Sequence, residues 1–200
     1  MKLPRRKKSI CIIGGGFYGC YIAKRTKENF KNINIEIYAK NTDLITEAGR
    51  NNQYRLHLGF HYPRSIETIK QTQEGSKIFI NEFKNFISKP KKNIYLIHKK
   101  SLINFVSYKN IFKKLKIHFK ELNLKNINFL KTPEIYQGAI NTKEQVILLD
   151  KLIPSLKKIV KTNCNINYKN EIKKINSKTG EIFDQKNKIK KFDYIINTTY

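Results

Sequence analysis

The sequence predicts an α/β fold built on a parallel sheet, and two observations carry this prediction. An apolar run at 9–13, a glycine turn, a helical run and an alternating run at 33–39 follow one another, as in a β-α-β unit. The turn holds Gly14, Gly16 and Gly19 in the spacing G-x-G-x-x-G. This spacing is typical of dinucleotide-binding loops, and here it lies between a predicted strand and a predicted helix, as the motif requires.

Each glycine of this loop has its own physical role. Gly14 permits a tight turn, Gly16 lets a pyrophosphate approach the backbone, and Gly19 lets the helix pack close to the strand. The helix N-terminus then offers N–H groups and a positive dipole end to phosphates. We therefore predict a Rossmann-like dinucleotide site, with a merely structural glycine turn as the alternative. The predicted cofactor-binding residues of the loop are Gly14, Gly15, Gly16, Phe17, Tyr18 and Gly19.

The second strand departs from the nucleotide-binding pattern at its end. An acidic side chain normally ends this strand and holds a ribose hydroxyl. The expected position carries Ala39, whereas Glu36 comes too early and Asp43 too late. We expect the ribose contact to be weakened or to lie elsewhere.

The composition bounds the function only loosely. The chain has 200 residues and a formal net charge of +26, with 41 basic against 15 acidic residues. The lysines are scattered rather than gathered in one block, and Asn, Ile, Tyr and Phe are also abundant, which indicates an AT-rich coding bias. This pattern disfavours nucleic acid as a partner, although a positive field still attracts phosphates and acids.

Cysteine usage and hydropathy address the compartment. Cys11, Cys20 and Cys164 are odd in number and form no C-x-x-C pair, which indicates a reducing, cytoplasmic environment without a disulfide framework. No apolar run is long enough to span a membrane, and the basic residues 1–8 are expected to form a tail rather than a signal peptide. The sequence does not indicate an oligomeric state.

The stretch 47–65 has the composition of a ligand-binding loop. It gathers amides, arginines, histidines and glycines without hydrophobic periodicity, and loops of this kind often bind ligands. His57 and His61 are four residues apart, but Gly59 and Pro63 argue against a helix and no third metal ligand is evident. We expect no metal there, and a structural polar loop is the alternative to a ligand-facing segment.

The remaining elements follow from periodicity. Helices are expected over 66–86, 101–122 and 146–160, the last tolerating Pro154, and strands over 93–98, 166–175, 181–183 and 192–200. A loop or edge strand is expected over 130–138. Since nothing follows Tyr200, where another crossover is expected, we predict that a C-terminal part of the fold is missing.

With these segments in order, the chain resembles the FAD-dependent oxidoreductases of the D-amino-acid oxidase type, which include glycine oxidase and L-2-hydroxyglutarate oxidase. The glycine loop is similar to the pyrophosphate loop of that family. Residues 52–62 are similar to its N-S-G-x-x-H-x-G-x-x-Y segment, and residues 138–142 to the segment that returns the chain to the FAD domain. Residues 193–199 are similar to its late strand, D-x-V-V-x-A-x-G.

The resemblance implies a fold, a cofactor and a division of the chain. Residues 9–75 and 138–200 would form a discontinuous FAD-binding domain, and 76–137 an inserted α+β substrate or cap segment. FAD is the implied cofactor. Beyond the glycine loop, the implied FAD contacts are Asn52, Gln53, Ile172, Thr198 and Thr199.

The resemblance also implies a reaction. A C–H bond next to an amine or hydroxyl of a small amino or 2-hydroxy acid would give a hydride to flavin N5. His57 and His61 are the candidate catalytic residues, and Arg55, Tyr62 and Arg64 the candidate substrate-binding residues, because arginine matches a carboxylate bidentately. Two alternatives stay open: a non-catalytic nucleotide-binding remnant, and an FAD enzyme acting on a modified tRNA base.

Overall fold

The computed structural model of the chain describes residues 6–199. The predicted basic tail therefore lies largely outside the described residues, as does Tyr200. The helices are α1 (Phe17–Asn29), α2 (Ile66–Phe83), α3 (Phe105–Lys114) and α4 (Leu149–Asn163). The strands are β1 (Lys8–Ile13), β2 (Ile33–Ala39), β3 (Arg55–Leu56), β4 (Ile87–Ser88), β5 (Ile94–His98), β6 (Phe119–Leu122), β7 (Tyr136–Thr142), β8 (Gln145–Ile147), β9 (Asn165–Tyr168), β10 (Ile172–Asn176), β11 (Glu181–Asp184), β12 (Ile189–Lys191) and β13 (Tyr194–Asn197).

The chain folds into two compact units. The first comprises the described residues up to Gln53 together with those from Leu149 onwards, and the second comprises Tyr54–Leu148. The units therefore divide at other residues than the predicted segments, whose boundaries were 75/76 and 137/138. The assignment of those segments to cofactor and substrate stays a prediction.

The first unit is organised around a four-stranded parallel sheet in the order β13-β1-β2-β9. Strand β1 pairs with β2 over Lys8–Ile13 and with β13 over Ile10–Ile13. The predicted β-α-β unit is confirmed, and β2 has the predicted bounds. The buried run of isoleucines in β1 and β2 explains the central position of these strands, since parallel strands are covered on both faces. The predicted α/β class with a parallel sheet is confirmed.

The two faces of this sheet are covered differently. Helix α1 contacts β1, β2 and α4 on one side. On the other side, Cys11 and Tyr38 pack against Ile182 of the antiparallel sheet β10-β11-β12 and against Phe192. The ends of β1, β2 and β9 are thereby held between a helical layer and a small antiparallel layer, which fixes where their carboxyl ends lie.

The second unit contains two antiparallel sheets, β5-β7-β6 and β3-β8-β4, with helices α2 and α3. Its core is aromatic and aliphatic: Phe60 lies 4.7 Å from Phe112 between ring centroids, and Ile69, Ile97 and Ile140 belong to the same buried cluster. Both helices begin with a side-chain cap, Ser65 on the Thr68 amide and Asn104 on the Ser107 amide.

The helix predicted over 101–122 is wrong in its second half. Helix α3 ends because Lys116 adopts a φ of 55°, and the amides of Lys116 and Ile117 donate to the carbonyls of Lys113 and Phe112. This is a Schellman ending, usually signalled by glycine, and the lysine here gives no such signal. Residues 119–122 then form β6.

Two further expectations are corrected. Residues 145–147 form strand β8 rather than the start of the last helix, which begins at Leu149 and contains Pro154. The strand predicted over 166–175 is two strands, because Lys169 with a φ of 51° turns the chain between β9 and β10. These two strands belong to different sheets.

Truncation of Leu152 tests the packing of α4 in the first unit. Leu152 is 1% exposed, so Leu152→Ala removes buried methyl groups and leaves a cavity. We expect the free energy of unfolding to fall by about 2–5 kcal/mol in urea denaturation followed by circular dichroism. Lys158→Ala, at an exposed position of the same helix, is the control and should change it by less than about 0.5 kcal/mol. Equal effects of both variants would contradict this packing.

Candidate functional site

The glycine loop follows β1 and is held by β13. The Thr198 hydroxyl lies 2.9 Å from the Ile13 carbonyl oxygen and 3.2 Å from that of Gly14. The Gly14 amide donates to the Tyr38 carbonyl at 2.9 Å, and Gly14 has a φ of 115°. The turn is therefore fixed from both neighbouring strands, and Thr198, predicted as a cofactor contact, is brought directly onto it.

The glycines of the loop separate into those required by packing and one that is not. A Cβ on Gly14 would lie 2.6 Å from the Thr198 hydroxyl oxygen, and a Cβ on Gly19 would lie 2.0 Å from the Gly14 carbonyl oxygen. A Cβ on Gly15 would lie 2.7 Å from that of Ala39. In contrast, a Cβ on Gly16 would meet no atom within 4 Å.

The open space at Gly16 lies at the start of α1. Gly16 is the N-cap of this helix and provides no side-chain cap, and the first turn contains no acidic residue. The first amides of an α-helix lack intrahelical acceptors and favour an anion. This geometry fits a phosphate group, and Gly16 leaves the backbone accessible to it.

The other predicted cofactor residues are placed less uniformly. Phe17 stacks on Tyr21 with ring centroids 6.3 Å apart, while Tyr18 is 70% exposed. Ile172 is partly buried and packs in the cluster between the two sheets of the first unit. Asn52, Gln53 and Thr199 are exposed.

No carboxylate of the first unit takes the place expected for the ribose acid. Ala39 is 2% exposed and packs against Gly15. Glu36 is buried, and the Lys190 ammonium lies 2.7 Å from its Oε1. The hydrogen bond from Lys157 lowers the pKa of Asp43, which is engaged with α4. The departure at position 39 therefore stands in the structure.

A cavity of about 460 Å³ lies beside the carboxyl end of β9. Its lining includes Asn167, Tyr168 and Asn170, and within the described residues Asn167 Nδ2, Tyr168 Oη and Asn170 Oδ1 are buried without a hydrogen-bond partner. The backbone N–H of Asn170 donates to the Ala39 carbonyl, which keeps this segment next to the end of β2. Buried polar groups in proteins usually have a hydrogen-bond partner, so a ligand could pair with these atoms. Asn167 Nδ2 can donate, Asn170 Oδ1 can accept, and Tyr168 Oη can do either.

In the second unit the predicted catalytic residues belong to a polar cluster around Glu144. The Tyr95 hydroxyl donates to Glu144 Oε2 at 2.6 Å, and the Leu58 amide donates to Oε1 at 2.7 Å. Arg55 Nε and His57 Nδ1 each lie 3.9 Å from Oε2. We call Arg55, His57, His61, Tyr95 and Glu144 the Glu144 cluster.

Ring contacts complete the Glu144 cluster. The His57 and His61 centroids are 4.8 Å apart in an edge-on arrangement, and His61 lies 5.1 Å from Tyr95. The Arg55 guanidinium lies 5.0 Å over the Tyr95 ring, within the range of a cation–π interaction. The structure therefore brings together three of the five predicted catalytic and substrate residues.

The electrostatics of the Glu144 cluster follow from its burial. Burial lowers the pKa of the His57 imidazole, and the Glu144 carboxylate partly offsets this effect. Burial also raises the pKa of Tyr95, so its hydroxyl stays protonated and donates to Glu144. At neutral pH the cluster therefore presents a neutral histidine beside the buried side chain of Glu144.

Arg64 lies outside the Glu144 cluster, whereas the Tyr62 ring contacts His61 at its edge, with centroids 6.3 Å apart. The side chains of Tyr62 and Arg64 are exposed, and the backbone of Tyr62 takes part in consecutive turns with Gly59 and Ser65. Within residues 6–199, no group of three or more His, Cys, Asp or Glu side chains is arranged to hold a metal ion. No helix in the same range is long and apolar enough to cross a membrane.

Glu144 and Tyr95 are functional candidates that sequence reasoning missed. Tyr95 lay in a predicted strand and Glu144 in a segment expected only to lead into a helix. One signal was present: an acidic residue is uncommon in this basic chain, and Glu144 stands two residues before the apolar run 146–149. Its burial depends on three-dimensional pairing that no spacing rule reveals.

Comparison with known proteins places the fold. No protein-family model matches the chain. NikD, described as an unusual amino acid oxidase, is similar with a TM-score of 0.74 and 11% identity over 96% of this chain and 51% of its own. L-proline dehydrogenase from P. horikoshii is similar with a TM-score of 0.67 and 17% identity over 98% of this chain and 54% of its own. The chain has the fold of these oxidoreductases, which confirms the predicted resemblance at the level of fold.

A curated relative is more similar in sequence. FAD-dependent monooxygenase FPY4 of Fusarium mangiferae is 31% identical over 149 residues, which cover 72% of this chain and 37% of the relative. FAD-dependent monooxygenase kojA of Aspergillus flavus is 29% identical over 84 residues, or 42% of this chain and 19% of the relative. The chain thus spans well under half the length of these curated relatives and about half of the solved structures.

Two alanine substitutions test the division of the glycines. Gly19→Ala forces a Cβ against the Gly14 carbonyl, so we expect the free energy of unfolding to fall by about 3 kcal/mol, at the upper end of overpacking costs. Gly16→Ala meets open space and should cost less than about 1 kcal/mol, as expected for alanine at an N-cap. The measurement is chemical denaturation of both variants beside the parent chain, and a reversed order would contradict the assignment.

Proposed function

We propose that the chain binds FAD at the glycine loop and belongs to an FAD-dependent oxidoreductase. The observation that carries this proposal is the open space at Gly16 in front of α1, in a loop whose other glycines are taken up by packing. FAD is named in the description of the curated relatives, and the fold is that of NikD and L-proline dehydrogenase. When bound, the flavin supplies hydride acceptance.

Different residues of the first unit would contact different parts of FAD. The start of α1 and the backbone at Gly16 would hold the pyrophosphate, with Thr198 fixing the turn behind it. The unpaired polar atoms of Asn167, Tyr168 and Asn170 would serve the adenosine end, in place of the acid that Ala39 lacks. We also propose FAD contacts from four residues on the basis of the family resemblance alone: Asn52, Gln53, Ile172 and Thr199.

For the reaction, we propose oxidation of a C–H bond next to an amine or hydroxyl of a small amino or 2-hydroxy acid. His57 is the preferred proton acceptor because its imidazole is held neutral, and His61 is its neighbour. Arg64 is a better candidate than Arg55 for the substrate carboxylate, because Arg55 already lies beside Glu144. Tyr62 stays a proposed substrate contact.

The curated relatives favour a second candidate, an FAD-dependent monooxygenase. The support is the 31% identity to FPY4, which exceeds that to any solved structure described above. The two reactions differ in the source of electrons: an oxidase or dehydrogenase flavin is reduced by the substrate, whereas a monooxygenase flavin generally needs an external reductant. Anaerobic bleaching by amino or 2-hydroxy acids, against bleaching by NADPH, separates them.

Visible absorption spectroscopy tests FAD binding directly. The purified chain is mixed with FAD and desalted, and we expect retained flavin bands near ~450 nm. A colourless protein that is folded by circular dichroism would contradict the proposal and favour a non-catalytic remnant.

Gly16→Val is the matched variant for this test. The backbone at Gly16 is extended, so valine fits the chain while its side chain fills the space needed by a phosphate. We expect at least a tenfold weaker FAD affinity, or about 1.4 kcal/mol, with an unchanged far-ultraviolet spectrum. Asn29→Ala, at an exposed position at the other end of α1, keeps the space open and should bind FAD as tightly as the parent chain. Equal FAD retention by the parent chain and Gly16→Val would place the cofactor elsewhere.

A further inference from the structure

We propose that Glu144 is a positioning residue that orients His57 and sets its protonation state, so that the two form a proton-accepting pair. The role of this pair in oxidation rests on the function proposed above. The geometry of the pair lies entirely within the second unit and stands independently of cofactor binding.

Glu144 is an ionisable residue placed where ionisation is costly. Its side chain is fully buried, yet it accepts hydrogen bonds from the Tyr95 hydroxyl and the Leu58 amide, one on each carboxylate oxygen. The Arg55 guanidinium lies near the same oxygen as Tyr95. These two hydrogen bonds and the nearby guanidinium fix the position of the carboxyl group beside His57.

His57 is the member of the Glu144 cluster with an unmet hydrogen-bonding capacity. Its Nδ1 atom is buried and has no hydrogen-bond partner within the described residues, while the side chain as a whole is 28% exposed. The nearest carboxylate oxygen is Glu144 Oε2 at 3.9 Å. Protonation of the ring would place a charged N–H opposite this carboxylate and draw the two groups together.

Few other groups bear on the charge of His57. Strand β3 contributes Arg55, the following loop contributes His61, β5 contributes Tyr95, and the turn before β8 contributes Glu144. Helix α2 contributes the Ser76 hydroxyl, which donates to the His57 carbonyl at 2.7 Å and does not titrate. The Glu144 carboxyl group favours a proton on His57, whereas Arg55 and His61 disfavour it, so the charge of His57 depends on the balance of these groups with burial.

The proton balance of the proposed oxidation follows from this arrangement. A bound flavin would supply the acceptor for the C–H hydride, and Nε2 of His57 would take the proton that the neighbouring hydroxyl or ammonium group releases. The Nδ1 atom faces Glu144 Oε2 at 3.9 Å, and this carboxyl group favours the protonated ring. The proximity of Glu144 to Nδ1 favours the tautomer with its proton on Nδ1, which leaves Nε2 available to accept a proton.

Histidine titration by NMR tests the pair without any cofactor. The full chain is labelled with isotopic histidine, and the His57 signal is assigned by its loss in His57→Ala. In Glu144→Gln the carboxylate that raises the pKa of His57 is removed, so we expect this pKa to fall by about one unit or more. Tyr95→Phe keeps the carboxylate while removing one hydrogen bond, and should shift it clearly less.

Arg55→Gln extends the test in the opposite direction. The guanidinium lowers the pKa of His57, so its removal should raise that pKa. This variant keeps the proposal testable if Glu144→Gln does not fold. An unchanged pKa of His57 in folded Glu144→Gln, or a fall in Arg55→Gln, would overturn the proposal. Equal shifts in Glu144→Gln and Tyr95→Phe would also overturn it, because they would report packing rather than charge.

The outcomes separate this inference from FAD binding. If the chain retains FAD but the pKa of His57 does not change in Glu144→Gln, the proposed pair is wrong and the proposed cofactor stands. If the chain binds no FAD but the pKa of His57 falls in Glu144→Gln, the interaction of the two residues stands and its proposed part in flavin chemistry is wrong.

Discussion

The first unit depends on the close approach of helix α1 to the turn after β1. At Gly19 the helix is so near the Gly14 carbonyl that a single added carbon would lie 2.0 Å from the oxygen. The same carbonyl is within hydrogen-bonding distance of the Thr198 hydroxyl, so helix, turn and strand β13 converge on one peptide group. This convergence aims the start of α1 at the space in front of Gly16, and the anion-binding capacity of the loop follows from it.

The second unit is organised by the opposite means, a buried polar side chain rather than a missing one. Glu144 joins β3, the following loop and β5 through Arg55, Leu58 and Tyr95. Removing such a partner leaves buried donors unmet, so the segments that meet here are specified more sharply than apolar packing would require. The same carboxyl group raises the pKa of His57 against the larger and opposite effect of burial, so it connects the local structure of the cluster with its proposed chemistry.

The sequence was sufficient where local signals agree with tertiary packing. Strand β2 was predicted with its observed bounds because its apolar alternation and the glycine loop before it indicate the same unit. Prediction failed at Lys116 and Lys169, because lysines in left-handed conformations carry none of the signal that glycine gives. In the candidate site, spacing was enough to predict the glycine loop, whereas His57 was predicted from the composition of its loop and from the family resemblance. Glu144 was missed because its significance arises only when residues far apart in the chain are brought together.

The acidic residues show why composition said so little about function. Although the chain carries a net charge of +26, several of its few acids lie where distant elements meet. Glu36 of β2 pairs with Lys190 of β12, Asp43 pairs with Lys157 of α4, and Asp193 accepts from the Ser9 amide of β1. The excess lysines generate a long-range positive field that salt screens, whereas these paired acids act at contact distance. The field can assist the approach of an anionic cofactor, but the specificity of the site has to come from the loop and the cluster, which contain few of those lysines.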